Sequence, residues 1–185
     1  MSNILITGSG KGLGKAMKDE LENQGHTVID FNLESGDDVR KAETASSINV
    51  DVLINNAGVN IINWLENFEE SDWDKVMDTN AKGIYMMTKA CLPSLIENKG
   101  TVLNIVSNAA HMPMTCSLAY NASKGAAHIM TLQLARELTK KHGITVFGIA
   151  PNKLSGTGMS DDIDDQVVAT RGWTKKYAQE YQLNG

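Results

Sequence analysis

Residues 3–14 read Asn-Ile-Leu-Ile-Thr-Gly-Ser-Gly-Lys-Gly-Leu-Gly, an apolar run that passes directly into a series of glycines. The β-rich run at 3–7 predicts a short strand, and residues 15–24 carry Met17 and Leu21 at helical spacing. The glycines allow a tight turn and close approach of the backbone to a ligand, and the N-terminus of the next helix offers unpaired N–H groups. The order strand, glycine turn, helix is typical of a binding site for the pyrophosphate of a dinucleotide.

A second strand is predicted at 27–30, after Gly25 as the C-cap of the helix. This strand ends in Asp30, about 20 residues beyond the turn, where an acid can accept a hydrogen bond from a ribose 2′-hydroxyl. A phosphate-binding loop of the NTPase type is excluded, because Lys11 is followed by Gly12 and not by the Ser or Thr that would bind magnesium.

Tyr120 and Lys124 are four residues apart and follow a strand-like run, 102–107, that ends in Ser107. On a helix this spacing places both side chains on one face. We expect the ammonium to lower the pKa of the phenol toward neutrality, so that the phenol can transfer a proton. Ser107 can bind the same substrate oxygen if the ends of the strand and the helix converge.

The same spacing occurs a second time, in Tyr85 and Lys89. A motif this short is structural in most of its occurrences, so the context must distinguish the two copies. Thirteen residues before Tyr85 the chain has Asp72 in a polar stretch, whereas Ser107 closes an apolar strand. We therefore assign the chemistry to Tyr120.

In their order along the chain, these motifs resemble those of the short-chain dehydrogenase/reductase family, in its compact branch, over about residues 3–159. The extended branch would have glycine at position 11, where this chain has lysine. The matching elements are the glycine turn at 7–14, Asn55-Asn56-Ala57-Gly58 after a buried-looking strand, Asn80, Ser107, Tyr120 and Lys124.

The resemblance implies an α/β fold, with a doubly wound parallel sheet of about six strands flanked by helices. It also implies an oxidoreductase that transfers a hydride between a nicotinamide cofactor and an alcohol or carbonyl substrate. Tyr120 would be the acid/base and Ser107 would orient the substrate oxygen. Lys124 would hold the nicotinamide ribose and stabilise the tyrosinate, and Asn80 would position a proton-relaying water. The cofactor-binding residues that the resemblance implies are Gly8, Lys11, Gly12, Leu13, Gly14, Asp30, Asp38, Val39, Asn56, Ala57, Gly58, Tyr120, Lys124, Pro151, Leu154 and Thr157.

Two residues point to different cofactors. Asp30 accepts hydrogen bonds from a free 2′-hydroxyl and repels a 2′-phosphate, which favours NAD. Lys11 lies where relatives that prefer the phosphate often carry a basic residue, so NADP stays open. We expect NAD, with Lys11 solvated.

The chain departs from the family pattern in three places. Asn152 follows Pro151 where the family has glycine, and the spacing from there to Leu154 and Thr157 is one residue longer than usual. Only 26 residues follow Met159, which suggests truncation; we expect 152–185 to form a helical lid on the substrate side or a tail. Between Asp30 and Val39 there is too little chain for a crossover helix, so a loop replaces it or the third strand is vestigial.

Composition fits one domain over 1–185. A net charge of −5 without a basic stripe argues against nucleic acid, and the sequence has no apolar run long enough to span a membrane. We expect a cytoplasmic protein with Cys91 and Cys116 as free thiols. No metal is expected, because the four histidines lack ligand spacing with each other or with the cysteines.

Two long helices are predicted, over 71–98 with Ser71 as N-cap and over 118–142, and a short one over 40–48. The long helices are expected to pair across a two-fold axis, which gives a homodimer or homotetramer; the apolar stripe of Ile129, Leu132, Ala135 and Leu138 is otherwise ordinary core. Two other functions stay open. One is a non-catalytic dinucleotide sensor or scaffold, and the other is a sugar-nucleotide epimerase.

Overall fold

The computed structural model describes residues 1–152, 154 and 158–184. Five strands form one sheet: β1 (Asn3–Thr7), β2 (Thr27–Phe31), β3 (Val52–Asn55), β4 (Thr101–Ile105) and β5 (Thr145–Ile149). Every pairing is parallel, and the order is β2-β1-β3-β4-β5. The order reverses between β1 and β3, and in such sheets ligands bind in the crevice at the carboxyl ends of the strands beside that point.

The helices are α1 (Gly12–Asn23), α2 (Glu70–Met77), α3 (Gly83–Glu97), α4 (Leu118–Leu134), α5 (Lys140–His142), α6 (Gly158–Arg171) and α7 (Lys175–Asn184). A π-helical turn, Asp78–Lys82, joins α2 to α3, and a second one, Ala135–Thr139, joins α4 to α5. Short 3-10 turns occur at Leu33–Ser35, Ala42–Ser47, Leu65–Asn67 and Asn108–Ala110.

Helices cover both faces of the sheet, as expected for a doubly wound fold. On one face Leu5, Leu53 and Val102 pack with Met87 and Leu95 of α3. On the other face the isoleucines of β1, β3 and β4 pack against α1 through Leu13, Met17 and Leu21.

The front of the sheet is shortened as the sequence predicts. The connection from β2 to β3 contains two 3-10 turns and no strand, so β2 is an edge strand and the sheet has five strands where about six were expected. The short helix predicted at 40–48 is the 3-10 turn Ala42–Ser47.

The long helices are present, with two differences from the prediction. The first long helix begins at Glu70 and has Glu69 as its N-cap. Ser71 therefore lies inside the first turn and is not the N-cap. The same helix is interrupted by the π-helical turn around Asn80. Leu138 of the predicted stripe is buried in the core, whereas Ile129 and Leu132 are 61% and 54% exposed.

The helices α6 and α7 pack against the loop that follows β3. Val167 and Ala178 form a small core with Ile62. Gln166 accepts a hydrogen bond from the Ile62 amide at 2.9 Å, and the Trp64 indole donates to the Thr170 carbonyl at 3.1 Å. The segment is therefore helical and docked in its described part.

Candidate active site

The glycine turn has the backbone that its sequence requires. Gly8 and Gly12 have φ of +67° and +56°, a region that side chains disfavour. A Cβ on Gly14 would lie 2.2 Å from the Gly8 carbonyl oxygen, so a side chain cannot fit there. Lys11, before the first turn of α1, makes no side-chain capping bond, and that turn contains no acid. The first N–H groups of α1 are therefore available to an anionic group.

Asn56 and Thr7 hold this turn against the end of β3. The Asn56 amide donates to the carbonyls of Thr7 and Gly8, at 2.9 and 3.1 Å. The Thr7 hydroxyl accepts from the backbone N–H groups of Asn56 and Ala57, both at 2.9 Å. These bonds place residues 56–58 directly beside the glycine turn.

Asp30 lies on the opposite side of the turn, at the end of β2. Its carboxylate accepts a hydrogen bond from the Ser9 hydroxyl at 2.6 Å and forms an ion pair with Lys18. Burial alone would raise the pKa of Asp30, but the bonds from Lys18 and Ser9 hold it below its ordinary value. These groups line a cavity of about 380 Å³, whose walls are Ser9, Gly10, Lys15, Lys18, Asp30, Asn32, Glu34 and Ser35.

Tyr120 and Lys124 lie on one face of α4, as their spacing predicts. The Lys124 Nζ is 5.7 Å from the centre of the Tyr120 ring and donates to the Ile105 carbonyl at 2.8 Å. Burial lowers the pKa of Lys124 to about 8. Burial also raises the pKa of Tyr120, against a smaller opposing effect of a hydrogen bond with Ser107. The expected lowering of the Tyr120 pKa by Lys124 is therefore wrong.

Asn80 connects three elements around these residues. Its amide accepts from the Val59 N–H and donates to the Val59 carbonyl, both at 2.8 Å, and it donates to the Ser123 hydroxyl at 3.0 Å. A Cβ on Gly58 would lie 3.4 Å from Asn80 Oδ1 and 3.9 Å from Lys124 Nζ. Asn80 lies on the π-helical turn, which is a feature frequent at functional sites.

The second Tyr-x-x-x-Lys copy has nearly the same geometry and a different environment. The Lys89 Nζ is 5.6 Å from the Tyr85 ring and 3.3 Å from its hydroxyl oxygen. Tyr85 is 48% exposed, whereas Tyr120 is partly buried and Lys124 is 5% exposed. Burial, which the spacing does not reveal, distinguishes the two pairs.

The short chain dehydrogenase family model matches residues 34–167. The chain belongs to this family. A 3-oxoacyl-(acyl-carrier-protein) reductase FabG of Staphylococcus epidermidis is 29% identical, with 90% of this chain and 82% of that protein covered. An NADP-dependent 3-hydroxy acid dehydrogenase YdfG of Shigella flexneri is 32% identical, with coverage of 85% and 75%.

A solved structure has the same fold. The 3-ketoacyl-(acyl-carrier-protein) reductase of Brucella melitensis, complexed with NADH, superposes with a TM-score of 0.79 at 25% identity and covers 86% of this chain and 78% of its own. This protein is accordingly an NAD(P)-dependent oxidoreductase of the short-chain dehydrogenase family.

The remaining residues that the family resemblance implies are placed as follows. Asp38 is bound by the Arg40 guanidinium, whose hydrogen bonds hold the pKa of Asp38 below its usual value. Val39 is 7% exposed and packs in the core. The backbone carbonyl of Pro151 accepts a hydrogen bond from the backbone N–H of Asn108 at 3.2 Å. This bond joins the segment after β5 to the segment after β4. Leu154 is 40% exposed. Thr157 lies outside the described residues.

Several residues around the site were not predicted. Ser9 and Lys18 reach Asp30 from the turn and from α1. Asn104 accepts from Asn55 at 2.9 Å and donates to Thr131 at 2.9 Å, so a buried polar chain joins β3, β4 and α4. Two features of the sequence could have indicated them. Lys18 follows Lys11 by two helical turns, and Asn104 is a polar residue inside the apolar strand β4.

Within the described residues, no group of three or more potential metal ligands is present. Cys91 and Cys116 are both free thiols, as expected. None of the described helices combines the length and apolar character that crossing a bilayer requires.

Proposed function

We propose that this protein reduces a carbonyl compound, or oxidises the corresponding alcohol, with NAD(H), and that Tyr120 is its acid/base. The observation that carries this proposal is the meeting of Tyr120, Lys124 and Asn80 with the Gly58 segment beside the glycine turn. Ser107, in the loop after β4, contributes a side-chain hydrogen bond with Tyr120 that lowers the pKa of the phenol.

The dinucleotide fits the residues that the structure provides. The free N–H groups at the start of α1 and the space left by Gly8, Gly12 and Gly14 suit a pyrophosphate. Lys11 and the backbone of Leu13 lie at the same turn. Asp30 would hold the adenosine ribose, and the Asp38–Val39 backbone would lie on the adenine side, since the Val39 side chain is in the core.

The nicotinamide end is assigned to residues around the carboxyl ends of β3, β4 and β5. Asn56, Ala57 and Gly58 border it from β3, and Tyr120 and Lys124 border it from α4. Pro151 and Leu154, which follow β5, complete this set.

A bound nicotinamide supplies the hydride in reduction and accepts it in oxidation. In reduction, Ser107 would donate a hydrogen bond to the carbonyl oxygen of the substrate, and Tyr120 would give its phenolic proton to that oxygen. The product is the alcohol, and the proton lost by Tyr120 is replaced from solvent. A phenol is protonated at neutral pH, which is the form that reduction requires, and burial, which raises the pKa of Tyr120, favours the same form.

Lys124 acts on the tyrosinate that this step leaves. With a pKa of about 8, Lys124 is mainly protonated at pH 7 and stabilises the phenolate by its charge. Asn80 would hold the relay water through its backbone, because its side chain is already bonded to Val59 and Ser123.

The choice of NAD rests on Asp30, because a carboxylate at the ribose repels a 2′-phosphate unless a cation offsets its charge. The relatives differ in their nucleotide: the Brucella structure contains NADH, whereas the Shigella enzyme is named as NADP-dependent. The candidate substrates are 3-oxoacyl compounds and 3-hydroxy acids, because the relatives are named for these two classes.

The test compares Tyr120→Phe with Tyr85→Phe. Both changes remove one phenolic hydroxyl from a ring whose centre lies 5.6–5.7 Å from a lysine Nζ, but Tyr85 is on the surface. We expect Tyr120→Phe to lower kcat by about 10²- to 10⁴-fold while the dissociation constant for NADH changes little, and Tyr85→Phe to leave both unchanged. Turnover by Tyr120→Phe at the wild-type rate would refute the assignment.

We infer a homodimer or homotetramer through α3 and α4. Ile129 and Leu132 on α4 are more than half exposed, and Tyr85 and Ile96 on α3 are also exposed. Large apolar side chains on neighbouring helices favour burial against a second copy. Light scattering that gives the mass of a monomer at micromolar concentration would contradict this. A cytoplasmic location stays a prediction.

A further inference from the structure

Lys18 contacts the carboxylate on which cofactor choice depends. It lies in the second turn of α1, and helical side chains lean toward the N-terminus of their helix, which brings its ammonium over the glycine turn. There it forms an ion pair with Asp30, whose other oxygen accepts from Ser9. Asn32 donates to the Ser9 hydroxyl at 3.2 Å, so Ser9 and Asp30 are held in place.

The remaining charges of the cavity are oriented differently. Lys15 is bonded to both carboxylate oxygens of Asp19 at 2.8 Å, on the exposed side of α1. Glu34 is an exposed side chain on the 3-10 turn after β2, and its carboxylate lies against Gly10. Lys18 is thus the cavity lysine that is paired with Asp30.

We propose that Lys18 is a cofactor-selectivity residue: by neutralising Asp30 and offering an ammonium at the adenosine ribose, it admits the 2′-phosphate of NADPH to a site that Asp30 would otherwise restrict to NADH. This inference rests on the proposed dinucleotide function and refines its cofactor preference.

The physical argument concerns net charge at the ribose. A lone carboxylate accepts from a 2′-hydroxyl and repels a 2′-phosphate. With Lys18 beside it, the pair is neutral and also provides N–H donors, which a phosphate can use. Asp30 still has free lone pairs for a hydroxyl, because each oxygen accepts more than one hydrogen bond. Lys18 and Asp30 side chains are 26% and 34% exposed, so water screens part of the effect.

The experiment measures dissociation constants of NADH and NADPH by fluorescence titration for wild type, Lys18→Gln and Lys18→Arg. We expect Lys18→Gln to weaken NADPH binding by about tenfold and to change NADH binding by less than about threefold. Lys18→Arg keeps the charge and should keep most of the affinity for NADPH. Lys141→Gln, an exposed lysine of α5, makes the same change of net charge far from β2 and should leave the ratio of the two affinities unchanged.

Three results would overturn the inference. If Lys18→Gln weakens both cofactors equally or neither, Lys18 only stabilises the fold and the proposed function stands. If Lys141→Gln shifts the ratio as much as Lys18→Gln, net charge is the cause. If wild type binds neither dinucleotide, the proposed function fails together with this inference.

Discussion

The Lys124 ammonium donates to the Ile105 carbonyl at 2.8 Å inside a site where the lysine is only 5% exposed. In the described part of the chain no carboxylate pairs with it, and burial lowers its pKa from 10.5 to about 8. The fold therefore holds a poorly compensated charge at the position that the proposed chemistry needs, and that charge opposes folding.

We predict that Lys124→Met stabilises the ligand-free protein at pH 7. The folded pKa lies below the unfolded one, so the folded state binds fewer protons, and stability rises with pH between about 8 and 10.5. The cost of the charge is complete below this window and absent above it. After subtraction of the lost hydrogen bond, the gain at pH 7 is about 1–2 kcal/mol, or about 2–8 °C in Tm.

Thermal unfolding at pH 7 and near pH 10.5 measures this gain, which should shrink at the higher pH. Lys89→Met is the control, because Lys89 makes the same contact with a tyrosine on the surface. Its effect should stay within about 0.5 kcal/mol at either pH. A Lys124→Met protein that is less stable than wild type at pH 7 would show that the charge is compensated.

Gly14→Ala is predicted to destabilise the fold by about 2 kcal/mol or more, because the new Cβ would lie 2.2 Å from the Gly8 carbonyl and 2.5 Å from the Asn56 amide nitrogen. Both neighbours belong to the hydrogen-bonded junction of the turn and β3, so neither can move without breaking it. Urea denaturation measures the free energy of unfolding.

Gly10→Ala tests the same loop with a different neighbour. Its Cβ would approach the end of the flexible Glu34 side chain at 2.9 Å, which can rotate away. We expect a change below about 1 kcal/mol. Equal losses for the two variants would show that the loop as a whole, and not the packing of Gly14, limits stability.

The sequence predicts those features of this protein that depend on residues close together along the chain. The glycine turn and the shared face of Tyr120 and Lys124 follow from local pattern and spacing, and the parallel sheet follows from the family resemblance that the ordered motifs carry. The shortened connection after β2 also follows, because too few residues lie between Asp30 and Val39 for a crossover helix. Of the two alternatives expected there, the structure has no additional strand between β2 and β3.

Features that depend on tertiary packing were not predictable in the same way. The ion pair of Lys18 with Asp30 requires the relative position of α1 and β2, and the opposite pKa shift of Tyr120 depends on burial by several elements. The π-helical turn at Asn80 is not visible in the apolar spacing, and the side-chain bonds of Asn80 to Val59 and Ser123 join separate elements.

Asn80→Ala is predicted to lower stability by about 2–4 kcal/mol, apart from any effect on activity. The change removes three hydrogen bonds of a side chain that is 1% exposed and leaves the Val59 backbone groups without their partner. Urea denaturation gives the loss, and the temperature for activity assays must be chosen below the new Tm.

Asn98→Ala provides the matched control. Its amide also donates to a backbone carbonyl, that of Val50 at 3.1 Å, but Asn98 is exposed and water can replace it. A loss below about 1 kcal/mol is expected. If Asn80→Ala were as stable as wild type, water would be filling the position of the amide, and the anchoring role of Asn80 would be wrong.

Val167→Asp is predicted to detach α6 and α7 from the loop after β3 while the sheet stays folded. Val167 is 1% exposed and packs with Ile62 and Ala178, and a carboxylate in that apolar contact costs several kcal/mol without a partner. That small core is separate from the two cores that flank the sheet. Local opening is therefore cheaper than global unfolding.

Hydrogen exchange resolves the two outcomes. In Val167→Asp the amides of 158–184 should exchange at least about tenfold faster, whereas those of β1, β3 and β4 keep their protection. Ala169→Asp places the same charge on the exposed side of α6 and should leave both regions unchanged. Uniform loss of protection across the strands in Val167→Asp would instead mean that the docked helices are part of the cooperative unit that the sheet needs in order to fold.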